Sequence, residues 1–168
     1  MFVYKKINNE DVTEDIFNKV MAVENSTGSG YSEEQMKNMW SDNSKNDNFV
    51  CFDKDKIVAF ITYNPNSKRR NGSIYMVNLT VLPEYRRRGI AKNLIFTATK
   101  YYLNKGETQT ASLHVDKDNT PAINLYLNVG YEIVEPICLV DEDEGQYIME
   151  ASLNKIIKTI KNETILQK

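Results

Sequence analysis

The chain has 168 residues, 41% hydrophobic and 26% charged, an ordinary globular composition long enough to bury a core. Its formal net charge of -2 argues against a general nucleic-acid binder, since such proteins are usually strongly basic. The apolar runs are too short to span a bilayer, and no apolar stretch follows the first lysines as in a signal peptide. We therefore expect a cytoplasmic protein, with no membrane contact, in which Cys51 and Cys138 are reduced thiols.

Hydrophobic spacing and turn residues predict alternating helices and strands. A strand at residues 2–7 precedes a helix at 11–23 and a second short helix, whose start is indicated by Ser32 followed by Glu33 and Gln35. Two strands, 48–53 and 57–63, share a tight polar turn, and a polar loop leads to a strand at 73–82. The later elements are helices at 89–104 and 121–128 and strands at 108–115, 131–137 and 146–153.

This order predicts an α/β fold, because some strands are hairpin neighbours and others are joined by helical crossovers. We expect a single mixed, mostly antiparallel sheet of about six to seven strands, with about four helices on its two faces. No linker divides the chain, so residues 1–153 are expected to form one domain. Residues 154–168 are expected to be an amphipathic helical tail or a frayed end.

The most informative stretch runs from the strand at 73–82 through Pro83 and three consecutive arginines into the helix at Gly89. A helix start presents unpaired N–H groups and partial positive charge, which together favour an anion. Glycine lets a ligand approach the backbone, and arginines add charge-assisted bonds to phosphate. Neither a Walker motif nor G-x-G-x-x-G is present, so a phosphate-bearing cofactor held by backbone is predicted. The alternative is a solvated arginine turn in which Gly89 only eases helix entry.

Two blocks carry a family resemblance. Residues 86–91, RRRGIA, resemble motif A of the GCN5-related N-acetyltransferases, R/Q-x-x-G-x-G/A between a strand and a helix. Residues 119–132, NTPAINLYLNVGYE, resemble motif B of the same family, and one strand separates the blocks as in that family. From about residue 75 to 131 the resemblance extends to individual motif residues. Before and after that range it is limited to the order of helices and strands. On these residues the chain is identified as a member of the family, with its fold.

The resemblance implies acetyl-CoA as co-substrate and no metal. In the family, backbone N–H groups at the helix start bind the CoA pyrophosphate, and the preceding strand pairs with the pantetheine through its main chain. The matching N–H for polarising the thioester carbonyl is that of Leu79. The cofactor-binding residues implied are Leu79, Thr80, Val81, Arg86, Arg87, Arg88, Gly89, Ile90, Ala91, Asn119 and Tyr126.

Besides Leu79, five residues are candidates for the chemistry or its support. Tyr126 lies on an apolar helical stripe, which by itself favours a core aromatic, but the matching family tyrosine donates to the CoA sulfur. His114 is the only histidine, and a lone histidine on a strand is usually packed or exposed. In the related ribosomal-protein N-terminal acetyltransferases a glutamate base occupies that position, so His114 departs from the pattern while keeping a proton acceptor. Asn119 fits both a helix cap and the family's CoA contact. Glu84 and Glu24 are weaker candidates for a base.

The expected function is transfer of acetyl from acetyl-CoA to a primary amine, either a small cationic amine or a peptide N-terminus, by direct attack. The acidic loop at residues 141–144 is either a solvated turn or an attractant for a cationic acceptor, and residues 24–40 form the other acceptor wall in the family. The alternative is a catalytically silent acyl-CoA-binding regulatory domain. A nucleic-acid role for residues 68–70 and 86–88 is disfavoured by the net charge, and a monomer or homodimer is expected.

Overall fold

The computed structural model describes residues 1–28, 30–41, 43–67, 72–135 and 145–166, with side chains up to residue 162. Short 3-10 turns lie at Asn9–Asp11 and Pro83–Tyr85. The strands and α-helices, in chain order, are β1 (Phe2–Ile7), α1 (Glu14–Thr27), α2 (Glu33–Trp40), β2 (Asp47–Asp53), β3 (Lys56–Asn64), β4 (Ser73–Val81), α3 (Ile90–Lys105), β5 (Thr110–Asp116), α4 (Thr120–Asn128), β6 (Glu132–Val134), β7 (Gln146–Ser152) and α5 (Leu153–Leu166).

Within the described residues the strands form one sheet of seven, in the order β1-β2-β3-β4-β5-β7-β6. The pairs β1/β2, β2/β3, β5/β7 and β6/β7 are antiparallel, and β4/β5 is parallel. The predicted α/β fold with a single mixed, mostly antiparallel sheet is therefore confirmed. The helices number five rather than four in this part of the chain, because the predicted tail forms α5. That tail is amphipathic, with Leu153, Ile156 and Ile160 buried at helical spacing.

The predicted bounds of α1 were wrong at both ends. The helix begins at Glu14 because the Thr13 side chain accepts a hydrogen bond from the Ile16 N–H and so caps it. It continues to Thr27 and stops where Gly28 adopts a left-handed φ of 64°. The predicted strand at 131–137 is present as Glu132–Val134, and residues 136–137 lie outside the described part.

The chain divides into two compact units. The first unit comprises residues 1–65 and 77–98, and the second comprises residues 66–76 and 99–168. The assignment of residues 1–153 to one transferase domain stays a prediction. No described helix has the length and apolar character needed to cross a bilayer.

The first unit packs α1 and α2 with strands β1–β3. Ser32 and Gln35 form the predicted capping box at the start of α2. Trp40 at its end lies edge-on to Phe60 of β3, with ring centroids 5.6 Å apart. Cys51 of β2 is fully buried, which raises the pKa of its thiol to about 11 and keeps it protonated at neutral pH.

The second unit packs α4 and α5 with β5, β6 and β7. Ser73 at the start of β4 and Ser112 of β5 share a buried hydroxyl–hydroxyl hydrogen bond of 2.7 Å. Gly130, after α4, has a φ of 105°, and a Cβ there would lie 3.2 Å from Thr159 Oγ1 and 3.4 Å from Lys155 Cγ of α5. Both conformation and close packing therefore require glycine at this position.

We predict that Gly130→Ala destabilises the protein more than Gly106→Ala, the matched control. Gly106 also has a left-handed φ, of 71°, but a Cβ added there would meet no atom within 4 Å. The control therefore costs only conformational strain, about 1–2 kcal/mol, whereas Gly130→Ala adds a tight contact with α5. Urea unfolding of the two variants measures the difference. Equal losses would show that α5 does not pack closely on Gly130.

Candidate functional site

The segment between β4 and α3 is an exposed turn of unusual backbone shape in the first unit. Arg87 has a φ of 62° and Gly89 a φ of 76°, both left-handed. The first backbone bond of α3 runs from the Asn93 N–H to the Gly89 carbonyl at 3.0 Å. The N–H groups of Ile90 and Ala91 precede that bond, so no helix carbonyl is available to them. The result is a helix start that offers N–H donors and partial positive charge to an anion.

Glycine at position 89 is required by conformation rather than by room. A Cβ there would meet nothing nearer than Asn93 Nδ2 at 3.9 Å, an ordinary contact. An L-residue would instead bear the cost of the left-handed φ, as Arg87 does. Gly89 therefore does ease the entry into the helix, as one of the two alternatives held. This role is compatible with anion binding at the same helix start.

The arginine side chains shape the same turn. Arg86 Nε donates to the Val81 carbonyl at 3.2 Å and so ties the turn back to the end of β4. The Arg88 guanidinium lies 5.2 Å from the Tyr85 ring centroid, within cation–π range. Tyr85 in turn donates from its hydroxyl to Asp53 Oδ2 at 3.1 Å. Arg86, Arg87 and Arg88 are all exposed, so positive charge surrounds the helix start.

Glu84 is poorly suited to act as a base. Its carboxylate forms an ion pair with Lys56 at 3.2 Å and is exposed. The pKa of this carboxyl lies below its usual range, first because of a hydrogen bond to its own backbone N–H and then because of Lys56. A lowered pKa makes a weaker proton acceptor at neutral pH.

Strand β4 presents alternate residues to two different environments. Asn78 and Thr80 are buried, whereas Leu79 and Val81 are half-buried. The Thr80 hydroxyl donates to Asn78 Oδ1 at 2.9 Å within the buried face. Because its side chain is engaged there, Thr80 can contribute only main-chain groups to a ligand. The cofactor-binding residues predicted on β4 and at the start of α3 thus lie along one continuous stretch of the first unit.

The candidates Tyr126, His114 and Asn119 lie in the second unit. Tyr126 of α4 is 8% exposed and lies edge-on to Tyr131, with ring centroids 5.8 Å apart. Burial, and secondarily the nearby Tyr75 phenol, raise the pKa of Tyr126 well above its usual value. The phenol is therefore neutral at physiological pH and retains a proton that it can donate in a hydrogen bond. Asn119 caps α4, accepting the Ala122 N–H at 3.3 Å, so its predicted cap role is confirmed.

Sequence analysis missed Tyr75. Its ring lies 5.6 Å from that of His114, tilted by 56°, and its phenol acts electrostatically on Tyr126. Tyr75, His114 and Tyr126 therefore form a cluster of three titratable rings in the second unit. The strand alternation places Tyr75 on the half-buried face of β4, but its proximity to His114 depends on the parallel β4/β5 pairing. That pairing cannot be found from local sequence pattern.

The acidic loop at 141–144 and the basic residues 68–70 lie outside the described residues. Within the described ranges no three His, Cys, Asp or Glu side chains are grouped closely enough to hold a metal ion.

A family model described as Acetyltransferase (GNAT) family matches residues 14–131. The chain belongs to this family. The match spans both motif blocks and both units. It therefore confirms the family that the two motifs indicated.

Individual relatives agree with this assignment. The chain is 33% identical over 98 residues to GCN5-related N-acetyltransferase 6, chloroplastic, of Arabidopsis thaliana; the match covers 58% of this chain and 33% of that one. The chain thus spans about a third of the length of that curated relative.

Two solved structures share the fold. The ribosomal-protein-S18-alanine N-acetyltransferase of Escherichia coli superposes with a TM-score of 0.71 at 18% identity, over 91% of this chain and 94% of that one. Arabidopsis thaliana NAA60 in complex with acetyl-CoA superposes with a TM-score of 0.72 at 20% identity, over 92% of this chain and 99% of that one. At these identities the likeness establishes the fold alone.

Proposed function

We propose that the protein transfers an acetyl group from acetyl-CoA to a primary amine by direct attack, without a covalent enzyme intermediate. The observation that carries the proposal is the left-handed turn at Arg87 and Gly89, which opens the start of α3 in a chain of this family. Two supporting points are the neighbour in complex with acetyl-CoA and the tyrosine retained at position 126.

The residues present fit acetyl-CoA. The N–H groups at residues 87–91 bind its pyrophosphate, with positive charge supplied by Arg87 and Arg88. The main chain of Leu79, Thr80 and Val81 pairs with its pantetheine as an added strand would. When bound, acetyl-CoA supplies the activated thioester. The Leu79 N–H then stabilises negative charge that develops on the carbonyl oxygen.

The acceptor amine must be neutral to attack. A lysine-like amine of pKa near 10.4 is neutral in only about one molecule in a few thousand at pH 7, whereas an α-amine is roughly a tenth neutral. His114 accepts the excess proton, directly or through a water, and the Tyr75 ring fixes the plane of its imidazole. Tyr126 donates a hydrogen bond to the leaving sulfur, a role that matches its neutral phenol.

The acceptor is a small cationic amine or a peptide N-terminus. The fold neighbour named as an S18-alanine N-acetyltransferase supports a peptide α-amine. Four consecutive carboxylates at residues 141–144 favour a cationic acceptor of either kind and disfavour an anionic one.

A panel of amines tests the proposed function. We expect CoA release from acetyl-CoA that depends on the added amine, when spermidine, an aminoglycoside, free amino acids and peptides of differing N-termini are compared. Mass spectrometry of the amine should show one added acetyl group. Binding of acetyl-CoA without transfer to any acceptor would instead support a silent acyl-CoA-binding domain.

Tyr126→Phe is predicted to lower kcat by about tenfold or more while the Kd for acetyl-CoA changes little. The substitution removes a single hydroxyl that acts on the leaving group, a contribution of about 10²-fold or more for a positioned donor. Because the phenol is neutral throughout, the loss should be the same from pH 6 to pH 9. Tyr131→Phe, a neighbouring buried ring, is the matched control and should keep near-normal kcat. An unchanged kcat for Tyr126→Phe, with chemistry rate-limiting, would refute the role.

His114→Gln is predicted to flatten the acidic limb of the pH–rate profile for kcat/KM. An imidazole titrates near pH 6.5 in its ordinary state, so loss of an essential neutral histidine removes that limb. Tyr75→Phe, which keeps the ring beside the imidazole, should keep the limb, and Tyr75→Ala, which removes that ring, should shift it. A variant profile that overlays the wild-type profile from pH 6 to 9 would exclude His114 from proton transfer.

A further inference from the structure

A buried carboxylate lies beside β4 in the first unit. Glu24, in the last turn of α1, has only 2% of its surface exposed. A buried carboxylate is costly unless its oxygens accept hydrogen bonds. Glu24 Oε1 accepts from the Tyr31 backbone N–H at 3.3 Å, and Oε2 accepts from Asn78 Nδ2 at 3.2 Å. The carboxylate therefore joins the α1–α2 connection to the middle of β4.

The same contacts continue along the strand. Asn78 is 8% exposed, and its Oδ1 accepts from the Thr80 hydroxyl. The Tyr31 hydroxyl donates to the Val77 carbonyl at 3.0 Å. Residues 77, 78 and 80 are thus held from the α1–α2 side. They flank Leu79, whose own side chain points to the other face of the strand.

This arrangement determines how the Leu79 N–H is aimed. That N–H lies in the peptide plane that Leu79 shares with the Asn78 carbonyl, so a shift of the Asn78 Cα turns this plane. The Val77 carbonyl, which Tyr31 holds, lies in the preceding plane, so the Asn78 Cα is fixed through its side chain and through its own N–H plane. We propose that Glu24 is a positioning residue, which through Asn78 fixes the Leu79 peptide plane for polarising the thioester carbonyl. The inference rests on the proposed function, in which Leu79 is the oxyanion donor. It assigns Glu24 a role different from that of a proton acceptor.

The chemistry of the carboxylate explains why glutamate occupies position 24. Both of its oxygens accept, so the Asn78 amide must direct its nitrogen to Glu24 and its oxygen to Thr80. Glutamine at position 24 would present an NH2 group to either the Tyr31 N–H or the Asn78 NH2 group, and the fixed orientation of Asn78 would be lost.

A side-chain exchange tests the proposal. Glu24→Gln should lower kcat by about tenfold, because a preorganised donor that is misaimed loses much of an effect worth about 10²-fold or more. The Kd for free CoA, which has no acyl carbonyl, should stay within about threefold. The exchange variant Glu24→Gln/Asn78→Asp should regain most of kcat. In it, the glutamine oxygen accepts the Tyr31 N–H and the glutamine nitrogen donates to the new carboxylate.

A spectroscopic measurement separates positioning from simple destabilisation. The carbonyl ¹³C resonance of bound [1-¹³C]acetyl-CoA reports on polarisation by the Leu79 N–H. We expect this resonance to move toward its free position in Glu24→Gln and back toward the wild-type position in the exchange variant. Thr80→Val removes the hydroxyl that donates to Asn78 Oδ1, and it should move the resonance in the same direction by a smaller amount. If Glu24→Gln does not fold, Thr80→Val provides the test in its place.

Thr13→Ala is the matched control. It removes the cap at the opposite end of α1 and lowers stability without touching β4. It should leave kcat and the ¹³C resonance unchanged. A wild-type kcat and resonance in Glu24→Gln, or a loss that the exchange does not reverse and that Thr13→Ala reproduces, would overturn the proposal. The activity of the wild-type protein is measured first, before any variant is made. If the wild-type protein binds acetyl-CoA but acetylates no amine, the proposed function itself is contradicted.

Discussion

The proposed chemistry depends on a backbone conformation. Two left-handed residues, Arg87 and Gly89, turn the chain from the end of β4 into α3. As at any helix start, the first N–H groups of α3 have no helix carbonyls as partners. A helix start of this kind can bind an anion through main-chain N–H groups, which every substitution except proline leaves in place. Arg87 has a left-handed φ, which destabilises the folded chain because its side chain disfavours that conformation. A surface turn could avoid this strain with glycine at position 87, so the strained arginine is consistent with a functional role.

Side-chain hydrogen bonds hold this backbone turn in place. Arg86 ties the turn to the Val81 carbonyl, and Tyr85 anchors it through Asp53. On the preceding strand, Asn78 and Thr80 turn inward and leave Leu79 to present its main chain. Side chains in the first unit therefore shape the backbone, and in the proposal the backbone binds the cofactor. In the same proposal, Tyr126 and His114 of the second unit act on the substrates through their side chains.

Local pattern predicted much of this organisation. The turn from β4 into α3 was found because glycine and arginine at a strand-to-helix junction have direct physical meaning, and the capping box at Ser32 was found because its side chains act over three residues. The start of α1 was misplaced because Asn9–Asp11 forms a separate 3-10 turn and Thr13 provides the cap. The strand and helix order sufficed for the sheet class, since connection lengths limit which strands can pair.

Non-local contacts account for what the sequence did not reveal. Tyr75 meets His114 only through the parallel pairing of β4 with β5, and Glu24 meets Asn78 only after α1 has packed on the strand. Neither pair has a signature at fixed spacing. Glu24 was a candidate base from its residue type, and its burial and hydrogen bonds point instead to positioning.

Backbone amide chemical shifts in ¹⁵N-labelled protein, recorded as acetyl-CoA is added, test the central claim most directly. We predict saturable shifts at Leu79 and at residues 87–91. The amides at the start of α1, a capped helix terminus in the same unit, should stay unchanged. Saturable binding that leaves residues 87–91 unperturbed would contradict this prediction, since the cofactor would then be held elsewhere.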